Sequence, residues 1–413
     1  MRSEPRPPAD GPAPETAGDA TPGDRGRAAP APIARERLED AMRRAIVLAR
    51  RGPRTGGNPR VGCVLLAPDG TTLSEGWHRG AGTPHAEIDA LSHLPAGGAR
   101  GATAVVTLEP CNHWGRTGPC SHALVDAGVA RVVYAIDDPG GVSAHGARYL
   151  VAHGVAVTAG VLAAEAEALD HEWLVAMRRG RPWTIAKLAM SLDGRGAAAD
   201  GSSQWITSPA SRAHAHRMRA DVDGILVGLG TVLQDDPSLT ARDEHGALLP
   251  HQPVPVVLGH PAQVPADARI RRTHPGGVLT ADVPRGLFAS AGRGGTAQRE
   301  AGGSGATRHE ADPAGAADAG QRRLRAVLAR LFAPPHDMRL VLVEGGPRTT
   351  TAFLTAGLVD EVHAYLAPRL IGGPRTVVGD IGVTSIDAAR ELTTLEITRL
   401  GPDILWRARV EEQ

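Results

Sequence analysis

The stretches His85-Ala86-Glu87, Glu109-Pro110-Cys111 and Gly118-Pro119-Cys120 decide how the first half of this chain reads. Together they supply one imidazole, two thiols and a carboxylate beyond the ligand set. Two thiolates and one neutral imidazole suit a borderline-soft ion such as zinc, with a fourth position open to water. Glu87 stands two residues past His85 at a helix start, where it faces the water instead of the metal. Zinc brings the pKa of a bound water to about 7, so a neighbouring carboxylate can move its proton at neutral pH. The spacing therefore points to metal-assisted hydrolysis of the deaminase type, whose generic signature is H-x-E with P-C-x-x-C. Here eight residues, 112–119, separate the two thiols. The alternative is a closed structural zinc with His113 or His122 as a fourth ligand. The third cysteine, Cys63, lies in an apolar run and reads as a small core residue.

Working outward, a helix is expected from near Ala34. Leu38, Met42, Ala45, Ile46 and Ala49 share one face, and Gly52-Pro53 ends it. Residues 61–67 read as a buried strand, turned by Pro68-Asp69-Gly70 into 71–77. Helices at 85–94, 121–127 and 147–153 alternate with strands at 102–108 and 131–136. One long helix is expected over about 163–179. This order predicts a mixed sheet with helices on both faces. Gly180-Arg181-Pro182 breaks the pattern and marks a domain boundary. Beyond it, strand-like runs at 183–190, 224–227, 254–258, 278–280, 340–343 and 361–366 alternate with helical stretches at 208–219, 321–332 and 349–356. A second α/β domain is expected. Residues 1–33, rich in Pro, Gly and Ala, form a disordered tail in this reading, and 282–320 a flexible insertion. The expected organisation is a tail, a first domain over 34–180 and a second over 181–413.

A length of 413 residues fits two such domains. Lys and Arg balance Asp and Glu, and aromatics make up 3% of the chain. That argues against a nucleic-acid-editing protein, which needs a basic groove and stacking aromatics. Three cysteines are too few for a disulfide framework, so a reducing cytosol is expected. No apolar run reaches about 18 residues, so no membrane span is expected. The N-terminal stretch lacks a secretory apolar region, and Glu4, Asp10 and Asp19 argue against an organellar transit peptide.

A family resemblance rests on motifs in both halves. Asn58-Pro59-Arg60-Val61-Gly62-Cys63, His85-Ala86-Glu87, and Thr107-Leu108-Glu109-Pro110-Cys111 through Gly115-Arg116-Thr117 to Pro119-Cys120 resemble the bifunctional deaminase–reductase of riboflavin biosynthesis. The long segment between the thiols is itself part of that family's pattern. Independently, the second half resembles the same family in Lys187-Leu188-Ala189-Met190-Ser191-Leu192-Asp193-Gly194-Arg195, Ser203-Gln204-Trp205-Ile206-Thr207, Thr231-Val232-Leu233, Asp235-Asp236-Pro237-Ser238-Leu239-Thr240 and Glu344-Gly345-Gly346-Pro347. The likeness spans about residues 35–410.

The resemblance implies a cytidine-deaminase-like α/β/α domain followed by a dihydrofolate-reductase-like α/β domain. The first would remove the pyrimidine 2-amino group of 2,5-diamino-6-ribosylamino-4(3H)-pyrimidinone 5′-phosphate, with one Zn2+ on His85, Cys111 and Cys120 and Glu87 as proton carrier. The second would reduce the ribosyl unit to ribityl with NADPH. Ala189, Trp205, Thr231, Asp235, Gly346, Pro347, Arg348, Thr349 and Thr350 correspond to cofactor positions. Asn58, Ser203, Arg219, Leu239, Arg242 and Glu344 correspond to substrate positions. The small-molecule substrate is the partner expected, with no nucleic acid and no membrane, in a cytoplasmic homo-oligomer.

Residue chemistry supports parts of this and leaves alternatives. Asn58 is a ring-edge donor and acceptor or a plain turn residue. His113 and Arg116 read substrate hydroxyls or phosphate, or lie on a solvated loop. Arg219 and Arg242 suit a phosphate through their fork, and Trp205 is otherwise a core aromatic. Asp235 and Glu344 are candidates for ribose hydroxyls. No G-x-G-x-x-G stands between a strand and a helix, whereas Gly345-Gly346 opens a helix whose free N–H groups attract anions. The chain departs from the family pattern at Gly57, where Pro is usual, at Gly140-Gly141 and at Gly259-His260. His260 is a candidate partner for the cofactor's 2′-phosphate, and a deaminase with an inactive reductase-like domain is the alternative reading.

Overall fold

The computed structural model describes residues 33–115, 118–283 and 313–411. The expected tail and most of the expected insertion lie outside them. The first sheet has five strands in the order β2-β1-β3-β4-β5. Chain order gives α1 (Arg35–Ala49), β1 (Gly62–Leu66), β2 (Thr72–Trp77), α2 (Ala86–Ser92), β3 (Thr103–Leu108), α3 (Cys120–Asp126), β4 (Arg131–Ile136), α4 (Gly146–Ala152), β5 (Ala156–Thr158), α5 (Ala163–Leu169) and α6 (His171–Arg179). β1 runs antiparallel to β2 and β3, and β3, β4 and β5 are parallel, so the sheet is mixed.

The apolar face of α1 lies against the sheet, with Met42, Ala45 and Ala49 fully buried. α2 covers the opposite face, because successive residues of a strand point to opposite sides. It comes close only because Gly76 has no side chain: a β-carbon there would sit 2.4 Å from the Ala86 carbonyl oxygen. This contact seats the helix that begins with the His85 motif.

The single helix expected over 163–179 is two helices, α5 and α6. Asp170 sits between them at φ −116° and ψ 30°. Its carboxylate accepts from the Arg60 amide at 2.8 Å and from Arg60 Nε at 2.7 Å. A side chain held elsewhere in this way competes with helical continuation.

The second sheet has eight strands in the order β12-β13-β11-β6-β10-β7-β8-β9. Its elements are β6 (Trp183–Ser191), α7 (Pro209–Met218), β7 (Gly224–Gly228), α8 (Leu229–Asp235), β8 (Val254–Leu258), α9 (Arg269–Thr273), β9 (Leu279–Ala281), α10 (Pro313–Phe332), β10 (Leu340–Val343), α11 (Pro347–Thr355), β11 (Glu361–Ala367), β12 (Leu392–Leu400) and β13 (Asp403–Val410). The strands from β11 to β9 are parallel, while β13 runs antiparallel to both of its neighbours, β11 and β12. Val341, Leu342 and Val343 of β10 are fully buried, since helices cover both faces.

Three features differ from the sequence reading. α10 begins at Pro313, inside the expected 282–320 insertion. α8 was not anticipated. Neither was the β12–β13 hairpin: β12 is largely exposed on both faces, so it carries no apolar alternation to reveal it.

Candidate functional site

The first site forms where β3 ends and two helices begin. His85 caps α2 in an extended conformation, so the first turn of α2 carries Glu87. Cys111 follows β3, and Cys120 is the first residue of α3 behind Pro119. His85 Nδ1 lies 3.5 Å from Cys111 Sγ and 3.3 Å from Cys120 Sγ. These separations match the edges of a tetrahedron of about 3.5 Å drawn around zinc with its usual bond lengths. The three ligand atoms all fall within 4.8 Å of one another. The Cys120 amide points at Cys111 Sγ at 3.4 Å. Its neighbours Cys120 and His85 hold the Cys111 thiol down at about 4, the thiolate form that a metal requires. The donor set thus fits zinc.

Glu87 is buried, 3% exposed. Burial, and then the nearby Cys111 thiolate, raise its carboxyl to about 7. The alternative of a four-ligand structural site is not formed among the described residues. The His122 ring stacks on Tyr149 at 3.9 Å, and His113 does not join the ligand cluster. Arg116 lies outside the described residues. Cys63 is fully buried, and burial raises its thiol well above the ordinary range, as for an inert core residue.

Asn58 reaches this site through His78. Asn58 Nδ2 lies 3.0 Å from His78 Nε2, and His78 Nδ1 lies 3.0 Å from the Pro84 carbonyl oxygen. A carbonyl accepts only, so Nδ1 carries the proton and Nε2 accepts from the amide of Asn58. Oδ1 of Asn58 is thereby oriented as an acceptor. The His78 ring meets the His85 ring edge-on at 5.2 Å. Sequence reasoning missed His78, which shares no motif spacing with the ligands.

It also passed over the task of Glu109. That buried carboxylate accepts from the Asp138 amide at 3.2 Å and the Ala147 amide at 2.9 Å. It ties the loop before α4 to the strand end that carries Cys111. Gly140 takes part through its backbone alone: its N–H donates to Asp138 Oδ1 at 2.8 Å and its carbonyl accepts from the Ala144 amide at 3.0 Å.

The second site lies at the carboxyl ends of β6, β10, β7 and β8, the edge where open parallel sheets bind ligands. Glu344, just past β10, accepts from Arg219 Nε at 2.8 Å, Arg219 Nη2 at 2.7 Å and Lys187 Nζ at 3.2 Å. Burial pushes the Glu344 carboxyl up, but Arg219 and Lys187 outweigh it and hold the group at about 2. Glu344 is therefore a fixed anion, and the fork of Arg219 engages it instead of opening toward a phosphate. Arg242 bonds Thr240 Oγ1 and the Gly246 carbonyl. Gly346 caps α11, with Pro347 next, and Thr349 and Thr350 are buried in its first turn. A β-carbon on Gly346 would lie 3.8 Å from Thr231 Oγ1, so these two cofactor candidates adjoin.

Ala189 lies on β6, and Arg348 follows Pro347 in α11. Asp235 ends α8, and burial raises its carboxyl. Ser203 is exposed. Trp205 is 61% exposed with the Arg212 guanidinium over its ring at 4.4 Å, which overturns the core-aromatic alternative. Leu239 is 3% exposed and belongs to the core, so its side chain presents nothing to a ligand. His260 is exposed, and its Nδ1 accepts from the Ala262 amide at 3.2 Å.

A model of the cytidine and deoxycytidylate deaminase zinc-binding region matches residues 35–136, and one of the RibD C-terminal domain matches residues 182–406. The riboflavin biosynthesis protein RibD of Mycobacterium tuberculosis (strain H37Rv) is 42% identical over 349 residues, covering 84% of this chain and 89% of the relative. The chain belongs to the RibD family. RibD of Escherichia coli K12 is 39% identical over 384 residues, covering 88% of this chain and 96% of that protein. The solved structure of Acinetobacter baumannii RibD (form 1) aligns with a TM-score of 0.75 at 31% identity, covering 92% of this chain and all (100%) of that one.

As a RibD-family protein, this chain is a bifunctional enzyme, a deaminase and a reductase acting on riboflavin-pathway intermediates. Its zinc triad is His85, Cys111 and Cys120, and its second domain is of the NADPH-dependent reductase type. No helix among the described residues is long and apolar enough to cross a membrane. Gly57, where the family resemblance led us to expect proline, has φ +82°, a value that proline's fixed negative φ excludes.

Proposed function

We propose that the two sites act in sequence on one pyrimidine ribose phosphate. The first removes the 2-amino group of 2,5-diamino-6-ribosylamino-4(3H)-pyrimidinone 5′-phosphate. The second reduces the ribosyl chain with NADPH to give 5-amino-6-ribitylaminouracil 5′-phosphate. The placement of Glu87 carries the reading: a buried carboxyl near pKa 7 beside a three-ligand metal group. It is supported by a solved Thermotoga maritima structure described as a diaminohydroxyphosphoribosylaminopyrimidine deaminase/5-amino-6-(5-phosphoribosylamino)uracil reductase, 29% identical with a TM-score of 0.70 over 91% of this chain and 99% of that one.

Bound zinc supplies a water acidified to near neutral pKa. Glu87 takes a proton as water adds to the ring carbon, then delivers it to the departing nitrogen, which leaves as ammonia. Asn58, oriented by His78, holds the ring edge. In the reductase, the start of α11 from Gly346 to Thr350, with Thr231, Trp205, Ala189 and Asp235, holds the cofactor. Ser203 and Arg242 place the ribosyl phosphate, Glu344 accepts from ribosyl hydroxyls while Arg219 holds its carboxylate in place, and Leu239 contributes through its backbone. Hydride transfer needs position above all, and the Lys187–Glu344–Arg219 cluster supplies rigidity.

The deaminase unit is assigned to residues 34–180 and the reductase unit to 181–413, in a cytoplasmic homo-oligomer. Three free cysteines support the compartment. Exposed Ile386, Ile397 and Trp406 around the β12–β13 hairpin support self-association. A coupled assay tests the reading. Zinc-replete protein given the diaminopyrimidinone phosphate should release ammonia without NADPH and then consume NADPH once it is added. Absence of ammonia would overturn it.

A further inference from the structure

The turn that carries Asn58 is held from the other domain. Asp223 lies at the amino end of β7, 8% exposed. Its own backbone is locked into the reductase sheet: its N–H donates to the Leu340 carbonyl at 2.8 Å, and its carbonyl accepts from Val254 at 2.9 Å. Oδ2 accepts from the amides of Arg339 at 2.8 Å and Leu340 at 2.9 Å. Oδ1 crosses to the deaminase domain and accepts from the Gly56 amide at 2.7 Å.

Gly56 is two residues before Asn58, and the intervening residue is clamped as well. Trp173 Nε1 donates to the Gly57 carbonyl at 2.9 Å. A β-carbon on Gly57 would sit 3.0 Å from the Asp337 carbonyl oxygen of the reductase domain. On the far side, Asp170 holds the Arg60 amide at 2.8 Å. The turn is therefore stretched between a reductase carboxylate at one end and a deaminase carboxylate at the other. At its middle Asn58 meets His78, whose ring abuts the zinc ligand His85.

We infer that Asp223, a residue of the reductase domain, is a positioning residue for deamination: it sets the Asn58 turn and with it the ring edge of the pyrimidine. The first catalytic site is thus completed by the second domain. This rests on Asn58 contacting the substrate. The two failures are separable, because Asn58→Ala tests that contact alone.

A double-mutant cycle in the full-length, zinc-loaded chain tests the inference. Asp223→Asn keeps the shape but has one acceptor oxygen for three N–H groups. It should raise the deaminase KM and lower kcat/KM about tenfold, the scale of a charged hydrogen bond. In an Asn58→Ala background the same change should cost less than about twofold. Reduction of the deaminated intermediate should stay within about twofold of the parent, as expected for independent sites. Equal losses in both backgrounds, parallel loss of both activities, or unchanged deamination would each overturn the inference. If Asn58→Ala alone leaves deamination intact, the substrate contact fails instead. Should Asp223→Asn not fold, amide exchange in the unaltered protein decides. The Gly56 amide should exchange as slowly as those of β7 and β10, and exchange at the rate of an open loop overturns the inference.

Discussion

The zinc pocket and the reductase cleft each bury a glutamate, and the two behave in opposite ways. Glu87 has no arginine or lysine against its carboxylate among the described residues, so burial and the Cys111 thiolate carry it up to about 7 against a smaller opposing pull from His85. Glu344 is also removed from water, yet Arg219 and Lys187 bring it down to about 2. Burial acts in the same direction on both, and the neighbouring charges decide the outcome. The first arrangement suits the proton carrier we propose for deamination. The second gives a fixed charge, suited to the positioning role we propose in hydride transfer.

Four experiments press on that contrast. Cys111→Ser should abolish zinc binding and deamination while the reductase still converts the deaminated intermediate, read by metal analysis and NADPH consumption. Persistence of ammonia release would break the assignment of the ligand set. Glu87→Gln should keep the metal and lose deamination by about a thousandfold, within the usual range for a general acid–base. A small loss would show that Glu87 carries no proton.

Arg219→Ala should cost about 3 kcal/mol of stability, because it strands a buried carboxylate with one weaker partner. Denaturant unfolding measures this, and no effect would mean that the Glu344 cluster is not a fixed charge. The smallest expected effect is a pH dependence. Glu344 ionises at about 2 when folded, against an ordinary value of 4.5. Its contribution is complete above pH 4.5 and is lost as pH falls toward 2. About 2 kcal/mol should be gone by pH 3. Glu344→Gln should lack this component when unfolding is followed from pH 6 to pH 3, and identical acid profiles would sharpen the contrast against us.

Much of the first site was legible in sequence because its chemistry is local. His85 and Glu87 share the start of one helix, and Cys111 follows one strand while Cys120 opens the next helix. The apolar runs of β1, β3 and β10 announce themselves because both faces of each are covered. The reductase site was legible as motif residues but not as an arrangement. Arg219 suggested a phosphate fork until its partner, 125 positions away, occupied it. The β12–β13 hairpin, exposed on its outer strand, left no periodic trace.

By itself, then, the sequence determined the metal donors and the two α/β sheets, and it marked Glu87 as the candidate proton carrier. These follow from residue chemistry at short spacing and from strand and helix periodicity, whereas the two activities came from the family resemblance. Only the tertiary structure decided which charges meet. It paired Glu344 with Arg219 and, among the described residues, set no arginine or lysine against Glu87. It broke the 163–179 helix at Asp170, directed Asn58 through His78, and brought Asp223 to Gly56 across 167 positions. Such contacts depend on how sheets stack and where loops return, and no local pattern of residues encodes that distance.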